Sequence, residues 1–271
     1  LIEDAGMSRK TLGALAGAIA LVAAAADAFA LCAPVAEVPG VRVFRTAVLP
    51  EGLPARDRVE VTYIGHSTFL IRTADGVTAA TDYNDYFRAP IVPTIATMNR
   101  AHPNHYSSAP EPGIKHVLRG WKADGYAAHD LAERDLRVFN VPTNIRNWSS
   151  GTTDYAGNSM FVFETAGLCI AHLGHLHHTL TDEHLKRLGP IDIVLIAVDG
   201  AVTISQEGAV TVIDQIKPKV VIPMHYWGYG SLERFVALFE KTFPVKRSDS
   251  GTVVFSRATL PNKQLLILQG R

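Results

Sequence analysis

Seven of the eleven histidines in this 271-residue chain fall in three short stretches. His102 and His105 lie in Asn99-Arg100-Ala101-His102-Pro103-Asn104-His105, just after the apolar run 94–98. His172, His175, His177 and His178 lie in Ala171-His172-Leu173-Gly174-His175-Leu176-His177-His178, at the close of the run 168–172. His225 follows Val220-Val221-Ile222-Pro223-Met224. A neutral imidazole offers a lone pair to a transition metal, and rigid segments that end in imidazoles can converge on one cation. A single strand-end histidine reads as a surface or capping residue. Three such ends read as a metal site, and one chemistry of such sites is hydrolysis by an activated water.

That chemistry needs strands that stop side by side. Runs rich in β-branched and aromatic residues occupy 59–64, 68–71, 77–81, 136–141, 160–164, 168–172, 193–198, 253–255 and 265–268, with turn signals at Gly65 and Ala74-Asp75-Gly76. Helical spacing appears at 181–188, opened by Thr181, and at 206–216, stopped by Lys217-Pro218. It appears again at 231–241, where Leu232, Phe235, Val236 and Phe239 share one face. Strand-rich halves with interspersed helices predict a layered α/β sandwich, not a doubly wound sheet.

A composition 47% hydrophobic and 19% charged suits a globular domain with a substantial core. Lys+Arg and Asp+Glu number 26 each, and no basic stripe is visible, which argues against a nucleic-acid partner. Arg9 and Lys10, the apolar run 12–26 and Ala28-Phe29-Ala30 form the pattern of a secretory signal that starts at Met7 and is cut near Ala30. The expectation is a periplasmic or secreted protein. Asp27 keeps the apolar run under the ~20 residues a spanning helix needs, so no stable membrane span is expected once the signal is removed. The organisation read from this is upstream residues plus signal (1–30), a lead-in (31–56) and one domain (57–271). Cys32 and Cys169 are too few for a disulfide framework. Cys169 reads as a buried thiol, with a Cys32–Cys169 bridge as the alternative.

Val61-Thr62-Tyr63-Ile64-Gly65-His66-Ser67-Thr68-Phe69-Leu70-Ile71 resembles the opening strand pair of the metallo-β-lactamase superfamily. The branch it is most similar to holds the ascorbate-phosphate lactonases and N-acyl-phosphatidylethanolamine phospholipase D. Thr81-Asp82-Tyr83-Asn84 matches that family's aspartate-bearing turn, and 99–105 stands where the family has Thr-His-x-His-x-Asp-His. Residues 170–176 resemble its Ile-x-His-x-Gly-Asp segment, and 191–200 with 218–226 resemble its closing strand and Met-His. The resemblance runs from about Val59 to Phe255 and implies a four-layer αββα sandwich.

This sequence departs from the family at the metal ligands. The motif puts ligands at 100, 102, 104 and 105, where the chain has Arg100, His102, Asn104 and His105. A family histidine after Val141-Pro142 has no counterpart in Thr143-Asn144-Ile145-Arg146-Asn147-Trp148, and the bridging aspartate position is His175. Without that carboxylate nothing holds two like charges together, so one cation is expected. The resemblance assigns it to His105, His175 and His225, with His102 as a candidate fourth ligand. Zn²⁺ is the first choice of metal, with Fe²⁺, Ni²⁺ and Mn²⁺ as alternatives.

Arg100 has two readings: an ion pair with Asp82, or a guanidinium in the vacated metal position that clamps a substrate carboxylate or phosphate. Asn104 binds metal through its carbonyl oxygen or orients a water. His177 or His178 is a candidate proton shuttle, and Asp199 a candidate orienter of a ligand imidazole. His66, Asp82 and His172 are expected to support the ligands rather than bind metal themselves. Trp148, Tyr226 and Trp227 are candidates to line a pocket, with core packing as the alternative. The expected function is a metal-dependent hydrolase acting on an ester, lactone, amide or phosphodiester of a small molecule. The rival is a non-catalytic metal- or anion-binding protein on the same fold.

Overall fold

The computed structural model describes residues 52, 54–147, 150–226, 228–239 and 242–269. The expected signal, Cys32, Trp148 and Trp227 lie outside the described residues, as does nearly all of the lead-in. In chain order the first strands are β1 (Arg58–Gly65), β2 (Thr68–Arg72), β3 (Thr78–Ala80), β4 (Ile95–Met98), β5 (His116–Arg119), β6 (Asp130–Glu133) and β7 (Leu136–Arg146). Then come β8 (Thr153–Thr165), β9 (Leu168–His172), helix α1 (Asp182–Leu188), β10 (Ile193–Ala197), α2 (Gln206–Ile216) and β11 (Val220–Met224). Helix α3 (Tyr229–Phe239), β12 (Val245–Arg247), β13 (Thr252–Ser256) and β14 (Gln264–Ile267) close the chain.

Two sheets form. One has six strands in the order β13-β1-β2-β3-β4-β5, the other eight in the order β12-β14-β11-β10-β9-β8-β7-β6. Side chains alternate along a strand, and β10 uses that alternation to serve two cores at once. Ile193, Leu195 and Ala197 face the other sheet, where they join Phe69, Ile71, Phe161 and Phe163. Val194, Ile196 and Val198 face outward onto the helices. All of β9, β10 and β11 is buried, which is why these parallel strands read as unbroken apolar runs.

All three α-helices pack on the outer face of the eight-stranded sheet through Leu188, Val212, Ile213, Leu232, Phe235 and Phe239. The outer face of the six-stranded sheet is covered by non-helical segments that bring Tyr83, Ile114 and Trp121 onto Ala80, Ala96 and Met98. Helix starts follow the sequence signals. Thr181 Oγ1 accepts from the His184 N–H while His184 Nδ1 accepts from the Thr181 N–H, a reciprocal cap with histidine in the place usually taken by Glu or Gln. Helix α2 ends at Lys217 in the left-handed region, one residue before Pro218.

Strands β5, β6 and β12 were not expected from the sequence. They are short, lie at or next to sheet edges and carry few buried residues, so neither length nor alternation marks them. The β7–β8 hairpin arms also run further than 136–141 and 160–164, because polar residues continue the ladder past the apolar run. Helix α3 starts two residues before the expected 231. Cys169 is buried but is not a free thiol, which corrects that reading.

Phe163 fills the space between the sheets with no exposure. Truncation there leaves a cavity, and Phe163→Ala is expected to cost about 3–5 kcal/mol. The shift in a urea unfolding midpoint measures it.

Candidate metal centre

Six strands end along one edge of the sandwich, and the residues just past their ends meet there. Strand β1 delivers His66, β3 delivers Asp82, and β4 leads through Asn99 to the short 3₁₀ turn Pro103–His105. Strand β9 delivers His172 and His175, β10 delivers Asp199, and β11 delivers His225. Backbone and polar contacts stitch the two sheets together at this point. The His225 N–H donates to His66 O at 2.7 Å, and His172 Nε2 lies 2.8 Å from Ser67 O. The Ser159 N–H donates to Asn99 Oδ1 at 2.7 Å.

His105 and His225 face each other across this seam with their Nε2 atoms 3.1 Å apart. On its far side, His105 Nδ1 lies 2.5 Å from Asp82 Oδ2 and 3.2 Å from Ser67 Oγ. His225 Nδ1 lies 3.1 Å from Asp199 Oδ1. Carboxylates accept hydrogen bonds, so each draws the ring proton to Nδ1 and leaves a lone pair on Nε2. Two lone pairs so placed repel unless a cation or a shared proton stands between them.

His175 completes the set. Its ring centre is 4.9 Å from that of His105 and 5.1 Å from that of His225, which are themselves 5.1 Å apart. Three imidazoles on one tetrahedral cation at ~2.0–2.1 Å have ring centres separated by roughly 5 Å. His175 Nδ1 is held by His177 Nε2 at 2.7 Å, while His175 Nε2 is buried without a hydrogen-bond partner among the described residues. Each of the three rings is anchored and has one nitrogen to spare, a donor chemistry that suits a divalent cation. The carboxylates behind two of them are the usual support for metal-bound histidine.

Around these rings the loops are built tightly. Gly174 has φ +60°, and a Cβ there would lie 2.4 Å from Asn158 Oδ1 and 2.5 Å from Asn99 Nδ2. Those two amides do separate work: Asn158 Oδ1 accepts from the His175 N–H at 2.8 Å, and Asn99 Nδ2 donates to Asp82 Oδ1 at 3.0 Å. Asp199 sits in a turn where the Ala201, Val202 and Thr203 amides all donate to Oδ2, and the Thr203 hydroxyl donates to Oδ1. His66, Asp82 and His225 all have left-handed backbones, with φ of 53°, 40° and 55°. Strain of this kind gathers at functional sites.

The electrostatics favour neutral rings. Burial, with neighbouring imidazoles second, holds His105 and His175 far below the ordinary histidine range and His66 at about 2. Burial also lowers His177, to about 4 with help from the Arg146 charge, and depresses His102 and His172. Burial pushes the Asp82 carboxyl up. For Asp199 burial acts in the same sense, but hydrogen bonds from His225, Thr203 and the Ala201 amide outweigh it and hold the group ionised.

The other expected residues fall as follows. His66 is not merely behind the ligands: its ring nitrogens and those of His105 and His225 offer a set lying within 4.8 Å of one another. It is tied to Asn104, whose Nδ2 lies 2.9 Å from His66 Nε2 and whose Oδ1 is buried without a hydrogen-bond partner among the described residues. His102 is exposed at the mouth with its ring centre 4.8 Å from that of His175. Arg100 does not pair with Asp82. Asn99 takes that oxygen, and Arg100 is turned out to solvent with its N–H on Gly157 O at 3.3 Å. His178 also stands apart. Its Nε2 accepts from the Asn144 N–H and its Nδ1 donates to Thr179 O, so both nitrogens are spent on the backbone. Tyr226 packs into the core beside Tyr63, 6.5 Å between ring centres. Sequence reasoning missed Ser67, Asn99 and Asn158; Asn99 opens the first histidine stretch and Ser67 follows His66, while Asn158 stands near no histidine in the sequence.

Comparison with known proteins identifies the family. The family model described as a beta-lactamase superfamily domain matches residues 60–225. The chain belongs to the metallo-β-lactamase superfamily. Among relatives within it, a UPF0173 protein of Pyrococcus abyssi is 28% identical over 65% of this chain and 89% of its own length. A UPF0173 metal-dependent hydrolase of Archaeoglobus fulgidus is 24% identical over 72% of this chain and 95% of its own. Of solved structures, one described as a Zn-dependent hydrolase of the superfamily from Thermotoga maritima superposes with a TM-score of 0.57. It is 23% identical and covers 79% of this chain and 100% of its own. At that identity the likeness establishes the superfamily's fold, an α/β sandwich, in this chain.

Two measurements test the site. In metal-free protein six imidazoles resist protonation when folded but accept protons near 6.5 when unfolded, so acid favours the unfolded chain. Asp82 works in the opposite sense, one group against six. Stability is therefore expected to be level above pH 6.5 and to fall as pH drops towards about 4, where His177 begins to protonate in the fold. Urea midpoints across pH 8 to 4.5 that do not move would contradict this. Separately, Gly174→Ala is expected to displace His175 or the Asn99 and Asn158 amides, weakening metal retention more than it lowers overall stability; elemental analysis beside thermal melting compares the two.

Proposed function

We propose that this protein is an exported metal-dependent hydrolase that holds one divalent cation on His105, His175 and His225. It acts on an ester, lactone, amide or phosphodiester of a small molecule. The observation that carries the reading is the pair of Nε2 atoms of His105 and His225 facing each other at 3.1 Å, with the His175 ring centre 4.9 and 5.1 Å from theirs and its Nε2 buried without a hydrogen-bond partner among the described residues. Relatives from Salinibacter ruber and Archaeoglobus fulgidus bear the name metal-dependent hydrolase, which supports the reaction class. Zn²⁺ suits an all-imidazole set best; Fe²⁺, Ni²⁺ and Mn²⁺ are the alternatives. Export rests on the signal-like N-terminal sequence.

When bound, the cation supplies Lewis acidity, which polarises the oxygen under attack and acidifies water. The protein's part is positional. Asp82 and Asp199 keep the ring protons of His105 and His225 on Nδ1, and Asn158 fixes the backbone of His175. Asn104 Oδ1 accepts a hydrogen bond from a water or from the substrate, but an amide cannot take a proton away. His102 is the cluster ring most open to solvent, so proton exchange with water passes there. Arg100, exposed beside it, is available to a substrate anion.

One observation favours a second reading. Asn104 stands where the family resemblance expects an acid, which suits a protein that binds a metal or small anion without turnover. Purified full-length protein loaded with zinc is expected to hold one atom per chain, and chelation is expected to lower its Tm. His225→Ala should remove both the metal and any turnover on a panel of esters and phosphodiesters. Metal without turnover in the parent protein would favour the second reading. Failure to hold any transition metal would sink both.

A further inference from the structure

His177 follows the ligand segment, is 7% exposed, and has Nδ1 buried with no hydrogen-bond partner among the described residues. Its other nitrogen, Nε2, lies 2.7 Å from His175 Nδ1. One proton sits between those two atoms, and only two arrangements are available while both rings are neutral.

In the first arrangement His177 Nε2–H donates to His175 Nδ1. His175 then carries its own proton on Nε2, a buried donor among the rings of His102, His105 and His225 with no acceptor to meet. In the second, His175 Nδ1–H donates to His177 Nε2. His175 Nε2 is then a lone pair, and His177 must carry its proton on Nδ1. A cation beside His175 Nε2 permits only the second arrangement. The pair is a two-ring relay of hydrogen-bond direction, in which the metal decides where the last N–H points.

We infer that His177 both positions His175 for the cation, by accepting its Nδ1 proton, and offers its own Nδ1–H to an anionic oxygen of the substrate. This rests on the single-cation reading given above. An unmet N–H in a buried site is unfavourable, and an incoming acceptor relieves it. The Arg146 charge acts on His177 in the sense that favours an anion there, and the ionised Asp199 acts in the opposite sense. The class of substrate is therefore one that carries a phosphoryl or carboxylate oxygen.

The test uses full-length protein, zinc and inorganic phosphate. His177→Phe removes both functions, whereas His177→Gln keeps an acceptor for His175 and a donor for the anion. Zinc affinity, measured against a competing chelator, is expected to fall about 10–100-fold in His177→Phe and to be largely restored in His177→Gln. Phosphate binding to the zinc-loaded protein, measured by calorimetry, should follow the same order. If His177→Phe does not fold, ¹⁵N NMR of the zinc-loaded parent protein decides: the inference requires the His177 proton on Nδ1, and a proton on Nε2 overturns it. Equal zinc and phosphate binding by parent and His177→Phe protein would also overturn it while leaving the metal centre standing. A parent protein that binds no zinc would instead remove the metal reading itself.

Discussion

The structure turns on two imidazole nitrogens, His105 Nε2 and His225 Nε2, brought to 3.1 Å from opposite sheets. Each ring is backed by a carboxylate that claims its other nitrogen, so the space between them is one that only positive charge fills well. Burying Asp82 and Asp199 is itself unfavourable. In the chain alone, burial raises the Asp82 carboxyl towards its neutral form while Asp199 stays ionised in its cradle of amides. A divalent cation would let both carboxylates ionise and would balance them, two negative charges against two positive. Gly174, the amides of Asn99 and Asn158, and the pairing of His175 with His177 pack around the same rings.

What the sequence disclosed depended on how a residue's work is encoded. Strands β9, β10 and β11 are buried on both faces and so read as apolar runs; their order and the histidines beyond them were visible from spacing. Helices α1 and α2 carried their own start and stop signals. Strands β5, β6 and β12 left no such trace, because strands so short and polar look like loops. At the site, the imidazoles were legible because few residue types bind metals. Ser67, Asn99 and Asn158 were not, since a hydroxyl or amide that fixes a ligand resembles any loop residue until its partner is known. Arg100 and His178 show the converse. Their types suggested chemistry, and the fold turns one to solvent and spends the other on backbone groups.

Local backbone conformation carries a related message. His66, Asp82 and His225 all occupy the left-handed region, at about 1–3 kcal/mol each for residues with a β-carbon. Surrounding contacts hold them there. Asn84 Nδ2 donates to Asp82 O, and Tyr63 Oη donates to His66 O, which also receives the His225 N–H. A single carbonyl thus fixes the turn after β1 and the turn after β11 together.

That shared carbonyl makes the cluster a rivet between two plates rather than a cup on one of them. Anything that slides the plates, even a change of one methylene where Phe69 packs with Phe163, alters the gap across which His105 and His225 look at each other. The interior of the sandwich therefore acts as a shim. Its packing bears on how far apart those two imidazoles stand.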